Sequence, residues 1–194
     1  MVKIKICGLR RRQDIDFVNA VHPDYIGFIL TSGFRRSIDF ETARQLKSRL
    51  DKGIKAVGVF VDDDTDKINK FADCGIIDIA QLHGSEGADY CKKVKIPVIK
   101  AFKPCDFDKI GDYENCADYF LFDSGTGSGK TFDWDMLPKT DKLFFLAGGL
   151  NFGNVKAAIE KLNPFAVDVS SSVETNGVKD FDKIKKFTEI MRNE

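Results

Sequence analysis

The sequence predicts a small (β/α)8 barrel of the TIM-barrel class, folded as one domain over residues 1–194. Eight short apolar runs recur along the chain, beginning near Val2, Tyr25, Lys55, Ile77, Pro97, Asp118, Lys142 and Phe165. Runs such as IGFIL, AVGVF, PVIKAF, YFLF and LFFLA show little polar alternation, the pattern of strands buried on both faces of a parallel sheet. Amphipathic stretches with helical spacing lie between them. An open doubly wound sheet has the same alternation and is the rival architecture.

Taken in order, the first run, VKIKIC, ends at Cys7. Behind the second, Phe40, Ala43, Leu46 and Leu50 form a helical stripe with Asp39 as its N-cap. Ile68, Phe71 and Ala72 mark a helix after the third. After the sixth run, the segment from Ser124 to Asp141 is rich in Gly and carries Pro138. It offers at most one helical turn, around Trp134 to Leu137, so a poorly formed helix is expected there. Val155, Ala158, Ile159 and Leu162 follow Asn151 as the expected cap, and Pro164 ends that helix. Ile184, Phe187 and Met191 mark the last one, capped by Asp180.

Thirty Lys+Arg balance thirty Asp+Glu, and the isoelectric point near 6.7 gives no electrostatic reason to expect nucleic acid or an acidic membrane. No segment approaches the ~20 apolar residues of a spanning helix. The start, MVKIKICGLRRR, does not read as a signal peptide, and a cytoplasmic location is expected. The five cysteines are odd in number and show no CxxC spacing; with only His22 and His83 available, a zinc site has little support. Most of the cysteines read as small buried hydrophobes. No composition break suggests a second domain, and no obligate protein partner is evident.

In a parallel barrel, chemistry gathers where strands end. Cys7 ends the first strand, where it is either a base or nucleophile or a free buried thiol. Asp123 ends YFLF; it is either a general acid kept protonated by apolar surroundings or a turn cap in Asp-Ser-Gly. Gly125 to Thr131 invites a P-loop reading, but that pattern needs glycine where Ser124 stands, and no long helix follows. A Gly-rich lid or a plain solvent loop fits better. Gly148-Gly149 and Ser170-Ser171-Ser172 end the seventh and eighth runs, where barrels often bind phosphate through backbone N–H groups. For Gly148-Gly149 the alternative is a tight turn. His83, in QLHG, is a hydrogen-bond donor or a helix cap. Arg35 and Arg36 are positioned to reach an anionic substrate or are simply solvated. Asp168 needs a partner if it is buried, either substrate or a neighbouring side chain.

Five blocks in order, KICGL (Lys5–Leu9), QLHG (Gln81–Gly84), GSGKTFDW (Gly127–Trp134), LAGGL (Leu146–Leu150) and PFAVDVSSSVE (Pro164–Glu174), together resemble the phosphoribosylanthranilate isomerase family of tryptophan biosynthesis. The resemblance spans nearly the whole chain and implies the barrel. It also implies an Amadori rearrangement of a small phosphorylated substrate, run by one acid and one base, with no metal or organic cofactor. The family's base falls on Cys7 and its acid on Asp123. Arg36 matches an arginine expected near the anthranilate carboxylate, Asp168 a residue on the anthranilate side, and His83 belongs to a matched block. Gly148, Gly149, Ser170 and Ser171, with the Gly127–Gly129 loop, would hold the phosphate.

Three departures stand out. Ser37 takes the place of a common aromatic after Arg36, which bears on the packing around that arginine. Ser172 takes the place of a glycine, so its Cβ is expected to crowd the phosphate or demand a different backbone angle. Only Ser124-Gly125-Thr126 separates Asp123 from Gly127. The alternatives are the sister isomerase of histidine biosynthesis, which typically carries Asp where Cys7 stands, and a catalytically idle phosphate-binding barrel.

Overall fold

The structure is a computed structural model that describes residues 1–124 and 133–192. Eight strands close in chain order into a parallel barrel: β1 (Lys3–Cys7), β2 (Tyr25–Ile29), β3 (Lys55–Phe60), β4 (Ile79–Leu82), β5 (Val98–Phe102), β6 (Tyr119–Phe122), β7 (Phe144–Leu146) and β8 (Ala166–Val169), with β8 pairing back onto β1. This settles the architecture against the open sheet. Each strand begins within two residues of its predicted start, because a run buried on both faces announces itself by composition alone.

Around the barrel run α1 (Arg12–Val21), α2 (Phe40–Lys47), α3 (Thr65–Asp73), α4 (Ala88–Cys91), α5 (Val155–Leu162) and α6 (Phe181–Arg192). Asp39 caps α2 through its carboxylate and the Thr42 N–H at 2.8 Å, and Asp180 accepts from the Lys183 N–H at 3.1 Å. Asn151 does not cap α5. It instead closes a turn on the Gly153 N–H at 2.9 Å, and the helix starts at Val155 behind Asn154. Asn163, left-handed at φ 45°, then ends α5 before Pro164.

After β6 the described residues hold a single 3-10 turn, Trp134–Met136. A second irregular crossover, not foreseen, follows β5, where residues Pro104–Tyr113 form 3-10 helix rather than α-helix. Gly111 and a stretch thick with aspartate weaken helix propensity there. A small hairpin, β9 (Glu174–Thr175) with β10 (Val178–Lys179), follows β8.

Alternation along the strands divides the interior in two. Outward residues pack against the helices. Inward ones fill the lumen, with Tyr25, Tyr119, Phe145 and Phe165 closing its lower end; Tyr25 meets Phe145 edge-on at 5.3 Å and Tyr119 stacks on Phe165 at 5.2 Å. These rings make the floor of a plugged barrel. Chemistry is left to the upper end. Among the described residues no helix is long and apolar enough to cross a membrane.

Candidate active site

At the C-terminal ends of the strands lies a cavity of about 570 Å³. It gathers, from separate strands and loops, Cys7, Arg36, His83, Asp123, Gly148, Gly149, Asp168, Ser170 and Ser171. Nine of the eleven residues to which the resemblance assigns a role thus line one cavity. The other two, Gly127 and Gly129, together with the expected lid, lie outside the described residues.

Cys7 is the last residue of β1 and sits in register with Gly27 of β2. A Cβ on Gly27 would stand 2.6 Å from the Cys7 sulfur, so glycine there makes the room the thiol occupies. Burial pushes the Cys7 thiol above its ordinary pKa, opposed by the ammonium groups of Lys5 and Lys179. The expectation for the other cysteines is corrected in part: Cys91 is buried, Cys116 is half-buried, and Cys74 and Cys105 are exposed. Both exposed thiols sit where no strand or helix stripe demands an apolar side chain.

Asp123 follows β6, three strands round the barrel from β1, with its carboxylate 3.4 Å from His83 Nε2. Each of these side chains is about a quarter exposed, at the cavity. His83 does not cap α4, whose N-cap is Gly87. Its Nδ1 instead lies 2.8 Å from the amide nitrogen of Gln81, two residues back on the same strand face. With that amide donating, the neutral ring carries its proton on Nε2, toward Asp123.

Asp168 finds a neighbouring side chain as its partner: Lys5 Nζ donates to Oδ2 at 2.6 Å, both groups being buried. Its other oxygen, Oδ1, is buried without a hydrogen-bond partner. Burial raises the Asp168 pKa and Lys5 works against the rise.

Arg36 is not simply solvated. Its Nε and Nη2 grip the two oxygens of Glu174 at 2.7 and 2.8 Å, which leaves Nη1 for a ligand. Glu174 also accepts from Arg35 at 3.0 Å and Lys179 at 2.7 Å. Burial alone would raise its pKa, but the bonds from Arg36 and Lys179 outweigh that and hold it at about 2. Ser37, in place of an aromatic, ties its loop: its hydroxyl reaches the Thr31 carbonyl at 2.6 Å and accepts the Phe34 N–H at 3.0 Å. Phe34, half exposed, lines the cavity beside Arg36.

Gly148 takes φ 80°, and a Cβ there would lie 2.3 Å from the Ser124 nitrogen, so only glycine lets these two loops meet. The side-chain amides of Asn151 and Asn154 hold the Gly149 carbonyl, each at 3.0 Å, and fix the turn into α5. Ser170 Oγ donates to the Cys7 carbonyl at 2.9 Å and stitches β8 to β1. Ser172 does not demand an unusual backbone: it sits in a 3-10 turn, Ser171–Val173, and is absent from the positions of positive φ. Its hydroxyl oxygen is buried without a partner.

Sequence reasoning passed over Lys5, Gln81, Glu174 and Lys179. For the first two a signal existed. Each stands two residues before a candidate on an otherwise apolar strand, and period-two alternation puts both members of such a pair on one face. Glu174 and Lys179 come together through the β9–β10 hairpin, which no local pattern announces.

A closed parallel barrel with a thiol, a carboxyl–imidazole pair and glycine- and serine-rich loops at its C-terminal mouth is the architecture of a barrel enzyme that works on a small anionic substrate. The model of the N-(5'-phosphoribosyl)anthranilate (PRA) isomerase family matches residues 4–190, and the chain belongs to that family. It is 48% identical over 202 aligned residues to N-(5'-phosphoribosyl)anthranilate isomerase of Endomicrobium trichonymphae, covering 100% of both chains. Among solved structures, it superposes with a TM-score of 0.88 on phosphoribosyl anthranilate isomerase from Thermotoga maritima, at 36% identity and full coverage of both chains. A phosphoribosyl anthranilate isomerase solved in complex with reduced 1-(o-carboxyphenylamino)-1-deoxyribulose 5-phosphate superposes with a TM-score of 0.85 at 35% identity, again over 100% of each chain.

Proposed function

We propose that the chain converts N-(5'-phosphoribosyl)anthranilate into 1-(2-carboxyphenylamino)-1-deoxyribulose 5-phosphate in tryptophan biosynthesis, with Asp123 as general acid and Cys7 as general base. Asp123 donates its proton to the furanose ring oxygen as the bond from that oxygen to C1' breaks, and the substrate nitrogen forms an iminium with C1'. The Cys7 thiolate then takes the proton from C2', giving an enolamine. Loss of the enol proton and protonation at C1' complete the aminoketose, so nothing is gained or lost overall.

The observation that carries this reading is the meeting of the Cys7 thiol and the Asp123 carboxyl at a single cavity, on strands far enough apart to flank a sugar. His83, donating to Asp123, stabilises the carboxylate left after proton transfer. Arg36 Nη1 is directed to the substrate carboxylate, and Asp168 Oδ1 to a donor on the anthranilate side. The peptide groups at Gly148, Gly149, Ser170 and Ser171 bind the phosphate. The family's solved complex with a reduced product analogue supports the substrate class.

The test follows the loss of anthranilate fluorescence as substrate is consumed, for the wild type, Cys7→Ser and Asp123→Asn. Wild-type decay should be fast, and each substitution should slow it by roughly 10²–10⁴-fold, the range of a positioned acid or base. Unchanged turnover in Cys7→Ser would remove the base assignment. No wild-type turnover, with inorganic phosphate still binding, would favour an idle barrel.

A further inference from the structure

Cys7 does not stand alone on its strand face. Two residues below it on β1, Lys5 points into the same lumen and is fully buried. A buried ammonium is costly unless it is paired. Lys5 is paired with Asp168, donating to its Oδ2 at 2.6 Å, and strand alternation sets its side chain on the same lumen face as the Cys7 thiol. The pairing follows from register, since Lys5 on β1 lies directly opposite Asp168 on β8.

We propose that Lys5 is the positioning residue for the catalytic thiol: its ammonium, anchored by Asp168, stabilises the Cys7 thiolate. This rests on the reading of Cys7 as the base. The thiol first loses its proton to solvent, the thiolate takes the C2' proton and becomes a thiol again, and Lys5 keeps its three protons throughout. Burial works against a charged Lys5, but Asp168 and Cys7 outweigh it and hold its pKa above the ordinary value, so the cation persists.

The charged groups that face the thiol come from three elements. Lys5 on β1 and Lys179 on β10 favour the thiolate, and Asp168 on β8 opposes it. Lys179 is already engaged, donating to Glu174 at 2.7 Å and to the Ser170 carbonyl at 2.9 Å. Asp123 and His83 face Asp168 from across the mouth with opposite effects. Lys5 is therefore the cation most directly assigned to the sulfur, and Asp168 anchors it at a cost to thiolate formation.

The experiment measures the pH dependence of Cys7 alkylation by iodoacetamide, read on the Cys7 peptide by mass spectrometry because exposed Cys74 and Cys105 also react. The informative pair is Asp168→Asn against Lys5→Met/Asp168→Asn, since the double variant strands no buried charge. Asp168→Asn should titrate at lower pH than the wild type. Removing the ammonium from that background should slow Cys7 alkylation at pH 7 at least tenfold and move its midpoint up by about one pH unit or more. Lys5→Arg, which keeps the charge, should stay near the wild-type midpoint. In the isomerase assay, the acidic limb of kcat/KM should move in the same direction as the alkylation midpoint.

Identical alkylation profiles for the two Asp168→Asn backgrounds, both folded by circular dichroism, would overturn the proposal. So would a loss of kcat/KM that is uniform across pH, the mark of a merely structural lysine. If the alkylation order holds while wild-type turnover is absent, the isomerase reading fails and the ammonium–thiolate pairing stands.

Discussion

Of the three buried lysine–carboxylate pairs among the described residues, two stand on opposite sides of the barrel wall and are built differently. Lys5–Asp168 stands in the lumen at the floor of the cavity, and Lys100–Glu86 lies behind β5, on its outward face. Both are short, at 2.6 and 2.7 Å, and both are almost wholly buried. Around Glu86 the hydrogen bonds are complete: its carboxylate accepts from the N–H groups of Asp62 and Gly84, and Lys100 also donates to the Gly84 carbonyl at 2.8 Å. Asp168 has one lysine and one orphaned oxygen. A saturated pair fixes backbone; an unsaturated one keeps a valence for something that arrives later. The outer pair pins the loop that carries His83, and the inner one leaves an open acceptor at the cavity.

The largest effect should come from cutting the saturated pair. Lys100→Met strands the Glu86 charge in a dry, crowded place and should lower unfolding free energy by about 3–5 kcal/mol. Adding Glu86→Gln should restore part of the loss. Asp168→Asn also takes the counter-charge from a buried ammonium, but the amide oxygen still accepts from Lys5 and a carboxylate disfavoured by burial is removed, so it should cost less, about 1–3 kcal/mol. Its effect on KM for substrate should be the larger one. Urea denaturation of the variants beside their kinetics checks this. An Asp168→Asn more destabilising than Lys100→Met would break the comparison.

What could be read from sequence divides along the same line. The strands, and the placement of Cys7 and Asp123 at strand ends, were legible because composition and strand ends are local properties. So was the single turn Trp134–Met136 after β6, ahead of Pro138. The 3-10 crossover after β5 was not, since Phe107 and Ile110 still offer an apolar stripe and only packing decides how tightly it coils. The grip of Glu174 on Arg36 crosses 138 positions of chain. Nothing in the neighbourhood of either residue announces it, and reading Arg36 as a loop arginine therefore left out the carboxylate that orients it.

Glu174 extends the comparison as a third buried carboxylate, one satisfied by three cations. Its folded pKa of about 2 lies below the ordinary 4.5, so its contribution is fully present above pH 4.5 and is lost as pH falls toward 2. At ~1.4 kcal/mol for each tenfold change in acidity, that amounts to about 3 kcal/mol. Glu174→Gln should be less stable than the wild type by this amount near pH 6, and the gap should narrow steadily in urea titrations between pH 4.5 and 3. A gap independent of pH would assign the effect to packing and not to charge.

The smallest effect tests whether the outer network is scaffold only. Tyr113 donates its hydroxyl to the Glu86 carbonyl at 2.9 Å, both residues being buried, and its ring edge packs on Phe102 at 5.3 Å. Tyr113→Phe keeps the ring and removes the bond, which should cost about 1 kcal/mol. The carbonyl it abandons belongs to the same residue whose carboxylate holds the His83 loop, so any functional coupling should surface here first. If the outer pair is scaffold, Cys7 alkylation and KM stay at wild-type values while the urea midpoint falls. A changed pH profile with little loss of stability would instead join the two lysine pairs into one network through His83 and Asp123, and the division between them would no longer hold.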